Sequence, residues 1–480
     1  MRTWILFGLV PAFLPLGGCR IHSVEKDPLP PVEAPRRFSG GAKGLPSPDP
    51  WWKDFGDPGL EKMIQATLSD NLDLRGAWAR LEQARALARK AGAPLWPAIQ
   101  ISGNVSRNHQ TFLGGGAFGN FSFTTDQYTL SAAASYELDL WGKLRDRRSA
   151  ALLEMKASRK DLEAMAMSLS AQAADAWFQL REARAQVRLL RSQIQTSRAL
   201  LDLVKRRFGQ GLATALDVSQ QRQQVASLLS QVPPVESRVD VLRHQLNLLR
   251  GKPPNAPDLP GEEGAELPEP PPLPPTGLPA DLLVRRPDVA AARLRVVAAD
   301  HRLGAALAER LPSIQLTPRA GYQAPNARDL FQSWIWSLAA GFTAPFFEGG
   351  RIQAEVERTR AVKLELLQAF GKTFLQALGE VEDALARERK QREYLAALDR
   401  QLRAARSNLE EARRRYLHGL NDYLPVLTAL SAVQQVQRTL VTAKRELLSY
   451  RIQLYRALGG DWTGRLAPPG PPAAKGGGKP

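Results

Sequence analysis

From residue 58 to about 93 the apolar positions fall three and four apart. Leu60, Ile64, Leu68, Leu72 and Ala79 form a stripe that Leu81, Ala84 and Ala88 continue. That spacing predicts one helix, with Asp57 as N-cap and Pro58 at its first position, behind Trp51-Trp52, where the folded part begins. Pro94 and Pro97 end it, and the period changes to two. Ile99, Ile101, Gly103 and Val105 alternate with Gln100, Ser102, Asn104 and Ser106. Beyond a Gly/Phe loop at 113–123, Tyr128, Leu130, Ala132, Ala134, Tyr136, Leu138 and Leu140 alternate with Thr129, Ser131, Ala133, Ser135, Glu137 and Asp139. About ten residues with one apolar face and aromatic ends fit a membrane barrel strand. A soluble half-buried hairpin would give the same pattern. From about Lys143 to Phe208 the pattern is helical again, a rod of roughly 100 Å at 1.5 Å per residue. Small residues and Leu recur along it (Ala151, Leu152, Met155, Leu162, Met165, Leu169), as in helices packed closely side by side. Residues 209–214 interrupt the rod, and helix resumes over 215–250 with a restart or kink at Pro233-Pro234.

The pattern then occurs a second time. Residues 206–251 reappear without a gap 208 positions later: Arg206/Arg414, Gly211/Gly419, Leu212/Leu420, Leu216/Leu424, Val218/Val426, Arg243/Arg451 and Gly251/Gly459 coincide. A shift of 215 matches Asp73/Asp288, Ala84/Ala299, Pro97/Pro312 and Ile99/Ile314. Such an internal repeat governs the fold. The second half is expected to run as a helix over 279–310, a strand over 313–322, a strand in which Trp334, Trp336, Leu338, Ala340, Phe342 and Phe346 point outward, and a rod from Gly349-Gly350-Arg351 to near Tyr416. The plan is therefore a signal peptide at 1–18, a lipidated tether at 19–50, a first repeat at 51–250, a proline-rich strap at 251–278, a second repeat at 279–462 and a disordered tail at 463–480. One chain supplies four strands, whereas a lipid-spanning barrel needs about eight. Several chains must share one barrel.

No stretch approaches the eighteen or so uninterrupted apolar residues of a spanning helix. The amino terminus has Arg2, an apolar run over 4–16 and then Gly17-Gly18-Cys19, the layout of an export signal. Leu16-Gly17-Gly18-Cys19 resembles the bacterial lipobox, whose cysteine is diacylated; the other reading of Cys19 is a buried thiol in an ordinary signal peptide. Arg20 is not the aspartate that retains lipoproteins at the inner membrane, so the resemblance points outward. The formal charge of +17 is mostly scattered arginine. No basic cluster interleaved with aromatics suggests nucleic acid. His22, His109, His244, His301 and His418 are dispersed without ligand spacing, and no phosphate-binding glycine loop occurs. Glu137 and Asp139 are expected on the polar face of a strand, solvated rather than catalytic. No enzyme activity is expected, and no cofactor beyond covalent lipid on Cys19.

Four motifs carry a family resemblance: the lipobox, Trp51-Trp52 with Phe55-Gly56-Asp57-Pro58, the run from Tyr136 to Arg145 (YELDLWGKLR), and that from Pro345 to Arg351 (PFFEGGR). With the two turns they span about residues 10 to 462. The chain resembles the TolC-type outer-membrane factor family, in its NodT-like lipoprotein branch. The resemblance implies an α+β membrane protein, a homotrimer in which twelve strands form one outer-membrane barrel continued by a periplasmic α-helical tunnel. It implies a periplasmic adaptor and an inner-membrane pump, often of the resistance-nodulation-division type, expelling small molecules. It places the turns, with Gly209, Gly211, Leu212, Gly419 and Leu420, against the adaptor. Relatives commonly carry an acidic ring after the second turn, but Pro425 and Thr428 stand at the matching positions. Leu424 matches an apolar constriction in relatives, or packs in the core; Asp422 and Tyr423 are candidates for closing contacts, with Thr428 one helical turn beyond Leu424. The competing expectations are the duct of a type I secretion system and a lipid-anchored periplasmic scaffold.

Overall fold

A computed structural model of the chain describes residues 21–40, 50–112, 121–257, 264 and 266–468. The signal peptide, Cys19 and the last twelve residues lie outside the described residues. In chain order the first half holds helices α1 (Pro58–Asp70) and α2 (Leu72–Gly92), strands β1 (Ala98–Phe112) and β2 (Phe121–Leu138), then helices α3 (Lys143–Gly209), α4 (Ala215–Ser230) and α5 (Val232–Leu249). The second half holds α6 (Leu282–Arg285), α7 (Pro287–Ala308), β3 (Ser313–Ala324), β4 (Trp334–Thr343), α8 (Arg351–Leu417) and α9 (Leu424–Leu458). Both rods are 67 residues long. Two compact units result. One gathers residues up to 29 with 82–157 and 293–369; the other gathers 30–81, 158–292 and 370 onward. Each draws on both halves of the sequence.

The first unit contains one antiparallel sheet in the order β1-β2-β3-β4. Its register stacks like with like. Ile101 faces Ala132, Ala132 faces Ala320 and Ala320 faces Trp336, while Leu138, Ile314 and Phe342 form a second row. This face is bare: Ile99 and Ile101 are 75 % exposed and Trp336 73 %. Each outer strand keeps one edge without a strand partner among the described residues.

Two sequence expectations are corrected here. The loop is shorter than 113–123, because Phe121 and Phe123 belong to β2 and stack on Phe112 at 5.3 and 5.7 Å. Asp139 has left the strand. Gly142, at φ 81°, turns the chain so that this carboxylate accepts from the amides of Leu144 (2.9 Å) and Arg145 (3.0 Å). It caps α3, where an anion is favoured by the helix dipole. Glu137 pairs with Lys143.

In the second unit Asp57 caps α1 by accepting from the amides of Gly59 and Leu60, and also takes the indole N–H of Trp177 at 2.9 Å. The expected helix over 58–93 is in fact broken at Asn71 (ψ 128°). Its Oδ1 accepts from Leu74 N at 3.0 Å and its Nδ2 donates to Leu249 O at 2.9 Å. The helix expected over 279–310 breaks at the equivalent Arg286, because Pro287 excludes helical geometry from the residue before it. The Arg286 guanidinium donates to Ala457 O and pairs with Asp288 and Glu380. Leu249 and Ala457 are themselves 208 residues apart, so both halves tie a buried polar side chain at the break to the end of the last helix. The glycine just beyond that helix end is equally specified. Gly459 has φ 74°, and a Cβ there would stand 2.6 Å from Arg285 O; Gly251 meets the carbonyl of Asp70 in the same way. Gly459→Ala is expected to lower stability by about 2–4 kcal/mol, combining left-handed strain and overlap. Gly56→Ala, at φ 62° with open space around it, should show the strain alone. Thermal melts followed by circular dichroism compare the two, and equal shifts would contradict the steric account.

The strap is ordered where described, with Pro271, Pro274 and Thr276 buried. The tail expected to be disordered from 463 is packed as far as it is described. Trp462 and Thr463 are buried, Trp52 meets Trp462 edge-on at 4.8 Å, and Arg159 donates to Leu466 O at 3.1 Å. The tether has no helix or strand over 21–40, yet it is held in place. In the first unit His22 and the Glu25 amide bond the Asp300 carboxylate. In the second the Ser39 amide donates to Glu382 at 3.0 Å.

Candidate functional site

The two turns between rods and returning helices are built alike. At the end of α3, Gly211 takes φ 71°, Leu212 N donates to Arg207 O (2.8 Å) and Gly211 N to Phe208 O (2.9 Å). At the end of α8, Gly419 takes φ 73°, Leu420 N donates to Arg415 O (2.9 Å) and Gly419 N to Tyr416 O (3.1 Å). This is the glycine-terminated Schellman closure, which satisfies the last carbonyls of a helix. Gly209, the last residue of α3, is exposed without needing that conformation. The two turns restart differently. Thr214 and Asp217 form a reciprocal capping box on α4, worth about 1 kcal/mol. Their counterparts are Asp422 and Pro425, and α9 begins at Leu424 without a side-chain cap.

Closure by glycine leaves the residue after it pointing into solvent. Leu212 is 59 % exposed and Leu420 73 %. Phe208, Leu216, Leu417 and Leu424 are also exposed, so each turn presents three large apolar side chains. Sequence reasoning had selected Leu212, Leu420 and Leu424 but passed over Phe208, Leu216 and Leu417. The match of Leu216 with Leu424 was the available signal. Clusters of this kind mark contact surfaces.

Beneath the surface the turns share a core of Val204, Ala412, Tyr416, Tyr423, Val426 and Ala429. Tyr423, expected among the closing contacts, has its side chain inside its own chain. It is fully buried, with its ring edge-on to Tyr416 at 5.2 Å and its hydroxyl donating to Gln221 Oε1 at 2.6 Å. Gln221 Nε2 in turn donates to Ser197 O at 2.7 Å. Burial, with smaller contributions from Tyr416 and Asp217, pushes the Tyr423 phenol far above its ordinary value, so it stays protonated. The Arg207 guanidinium lies over the Tyr416 ring at 4.9 Å, a cation–π contact that joins the two turns. The Tyr423–Gln221 bond and the Arg207–Tyr416 contact were not singled out from the sequence, because their partners lie about 200 residues apart.

The other gate candidates are at the surface. Asp422, Leu424, Pro425 and Thr428 are exposed. Leu424 is therefore not core packing within its own chain. The Thr428 hydroxyl donates to Leu424 O at 3.0 Å, which leaves the threonine methyl and the leucine side chain on one helical face. Among the described residues no group of three or more His, Asp or Glu side chains is placed to hold a metal ion. No helix among the described residues is long and apolar enough to cross a membrane.

Known proteins share this arrangement. The outer-membrane channel OprN superposes on the chain with a TM-score of 0.84 at 27 % identity, over 93 % of this chain and 100 % of that one. The pyoverdine export outer membrane protein OpmQ of Pseudomonas putida is 32 % identical over 441 residues, covering 90 % of this chain and 92 % of that protein. The probable efflux pump outer membrane protein TtgC of Pseudomonas putida is 30 % identical over 481 residues, 96 % of each. The family model described as outer membrane efflux protein matches residues 63–252 and 278–460, one span from within α1 past Gly251 and the other from just before α6 past Gly459. With its paired strands, paired rods and paired turns, the chain belongs to the outer membrane efflux protein family.

Proposed function

We propose that the chain is the outer-membrane channel of a tripartite efflux system, a passive exit duct for small molecules. The observation that carries this reading is the four-stranded sheet, apolar and bare on one face and, among the described residues, unpaired at both edges. In lipid a strand edge has no water to satisfy it, so the sheet must be closed by further copies. Three copies, joined β4 of one to β1 of the next, give a twelve-stranded barrel, and the homotrimer follows. The two 67-residue helices then line a periplasmic tunnel roughly 100 Å long. Acyl chains on Cys19 add an anchor beside the barrel. A lipid-anchored scaffold would have no use for the bare apolar face.

The exposed turns, with Gly209, Gly211, Leu212, Gly419 and Leu420, dock the periplasmic adaptor. Through it an inner-membrane pump of the resistance-nodulation-division type supplies the energy. Three copies of Leu424, flanked by Thr428 and Asp422, close the periplasmic end by apolar contact, and Tyr423 holds this corner rigid from inside each chain. In this reading the duct is built from the first repeat, the strap and the second repeat, with the packed residues 463–466 added to the second.

Single-channel recording of the purified protein in a planar bilayer tests this. Discrete openings are expected in the wild type and, in Leu424→Ala, openings about tenfold more frequent, as removal of some 1.4 kcal/mol of closing contact would give. Openings unchanged by the substitution would remove the gate and keep the duct. A trimer that resists detergent until heated and still never conducts would overturn the duct.

A further inference from the structure

Where the end of α2 meets the start of α3, the first unit has an open groove of ≈ 690 Å³. Arg85, Arg89 and Arg148 line it together with Trp96, Leu152 and Met155. Its one carboxylate, Glu82, pairs with Arg85 at 2.5 Å. Arg89 and Arg148 make no ion pair among the described residues. The stem of Arg148 runs along Gly92, which lacks the side chain that would press on it: a Cβ there would touch Arg148 Cδ at 3.4 Å. The groove thus sets guanidinium groups beside apolar side chains, Arg148 being one turn from Leu152 on α3.

Its position says what kind of anion fits. Trp96 is 71 % exposed two residues before β1 begins, and Ile99 and Ile101, the first large side chains of that strand, are 75 % exposed. A tryptophan at the border between a bare apolar strand face and a charged helical surface marks the headgroup level of a bilayer. A ligand at that level carries acyl chains on one side and a phosphodiester on the other. The geometry points to a binding site for an anionic phospholipid, one per chain. Arg89 and Arg148 donate to the phosphate oxygens, the charge-assisted bonds that guanidinium groups form best. Trp96, Leu152 and Met155 contact the glycerol and the first methylenes. A zwitterionic lipid brings its own cation against these arginines and is disfavoured. The assignment rests on the reading that the four strands lie in the outer membrane, and it gives part of the chain's positive charge a task.

Native mass spectrometry of the full chain in detergent, with phosphatidylglycerol or phosphatidylcholine added, tests it. The wild-type trimer is expected to retain phosphatidylglycerol in preference to phosphatidylcholine. Arg89→Gln/Arg148→Gln should weaken that retention by on the order of tenfold, the share expected of two interfacial cations, with the trimer mass unchanged. Arg89→Lys/Arg148→Lys should fall between. Equal retention of both lipids, or retention unaffected by the Gln pair, would overturn the site. Displacement of the lipid by an equal concentration of inorganic phosphate would reassign the groove to a free anion. A Gln pair that no longer forms trimers would make the arginines contacts between copies. Retention of phosphatidylglycerol by a wild-type chain that never forms trimers would keep the site and refute the shared barrel instead.

Discussion

Replacing Arg451 by methionine is expected to cost the protein about 3–5 kcal/mol, more than any other single substitution considered. Arg451 is completely buried in the second unit, beside Glu388, which is 1 % exposed. Its Nε donates to Glu388 Oε2 at 3.0 Å, Nη2 bonds the other carboxylate oxygen, and Nη1 reaches the carbonyls of Pro271 and Pro272 in the strap. Prolines have no N–H of their own with which to join a ladder, so the guanidinium is what fastens this stretch. Without it Glu388 keeps only Arg392, at 3.1 Å, whose side chain is half in solvent. Two strap carbonyls lose their donor as well. Denaturant unfolding followed by circular dichroism measures the loss, and limited proteolysis should find new cuts near the strap. Arg451→Met/Glu388→Leu should recover much of the stability, because a buried ion pair is replaced by apolar packing more cheaply than it is halved. A single variant within about 1 kcal/mol of wild type would contradict this account.

Asp300→Ala is expected to cost about 2 kcal/mol and to free the tether as well. This carboxylate, 1 % exposed on α7, receives the His22 imidazole at 2.8 Å, the Glu25 amide at 2.9 Å and Lys363 of α8 at 3.0 Å. It is the fixed point of the tether in the first unit, so its loss should also expose residues 21–27 to protease. Burial pushes the Asp300 carboxyl up, but the Glu25 amide, His22 and Lys363 together outweigh burial and hold it below the ordinary value of 3.8. A depressed acid contributes its stabilisation fully above the unfolded value and loses it as pH falls through the folded one. The gap between wild type and Asp300→Ala should therefore be constant from pH 5 to 8 and narrow below about pH 4. A gap that widened in acid would contradict the assignment.

Much of this was legible in the chain itself, for identifiable reasons. The alternation at Ile99–Ile101 and Trp334–Phe342 was readable because one strand face is bare and apolar. The rods and their turns were readable because Gly211 and Gly419 recur at one interval in equivalent roles. What escaped reading depends on partners far away in sequence. The stripe through Leu68 and Leu72 continues smoothly across Asn71, and the break is set by the carbonyl of Leu249. Asp139 keeps the parity of the strand, and only the turn at Gly142 reveals it as a cap. Tyr423 sits beside Leu424 on paper, yet Gln221 draws one inward while the other stays in solvent. Arg243 and Arg451 coincide in the repeat, but only Arg451 is fully buried.

The two free edges of the sheet also have a consequence for inheritance. A chain whose strands pair normally but whose turns are defective enters assemblies as readily as an intact one. With equal amounts of both and random mixing into the proposed trimer, only about one assembly in eight would be free of it. On the proposed docking role of the turns, damage there is therefore expected to be dominant over the intact copy. Damage to β1 or β4 would keep a chain out of the proposed ring altogether, spare the assemblies its sister forms, and is expected to be recessive.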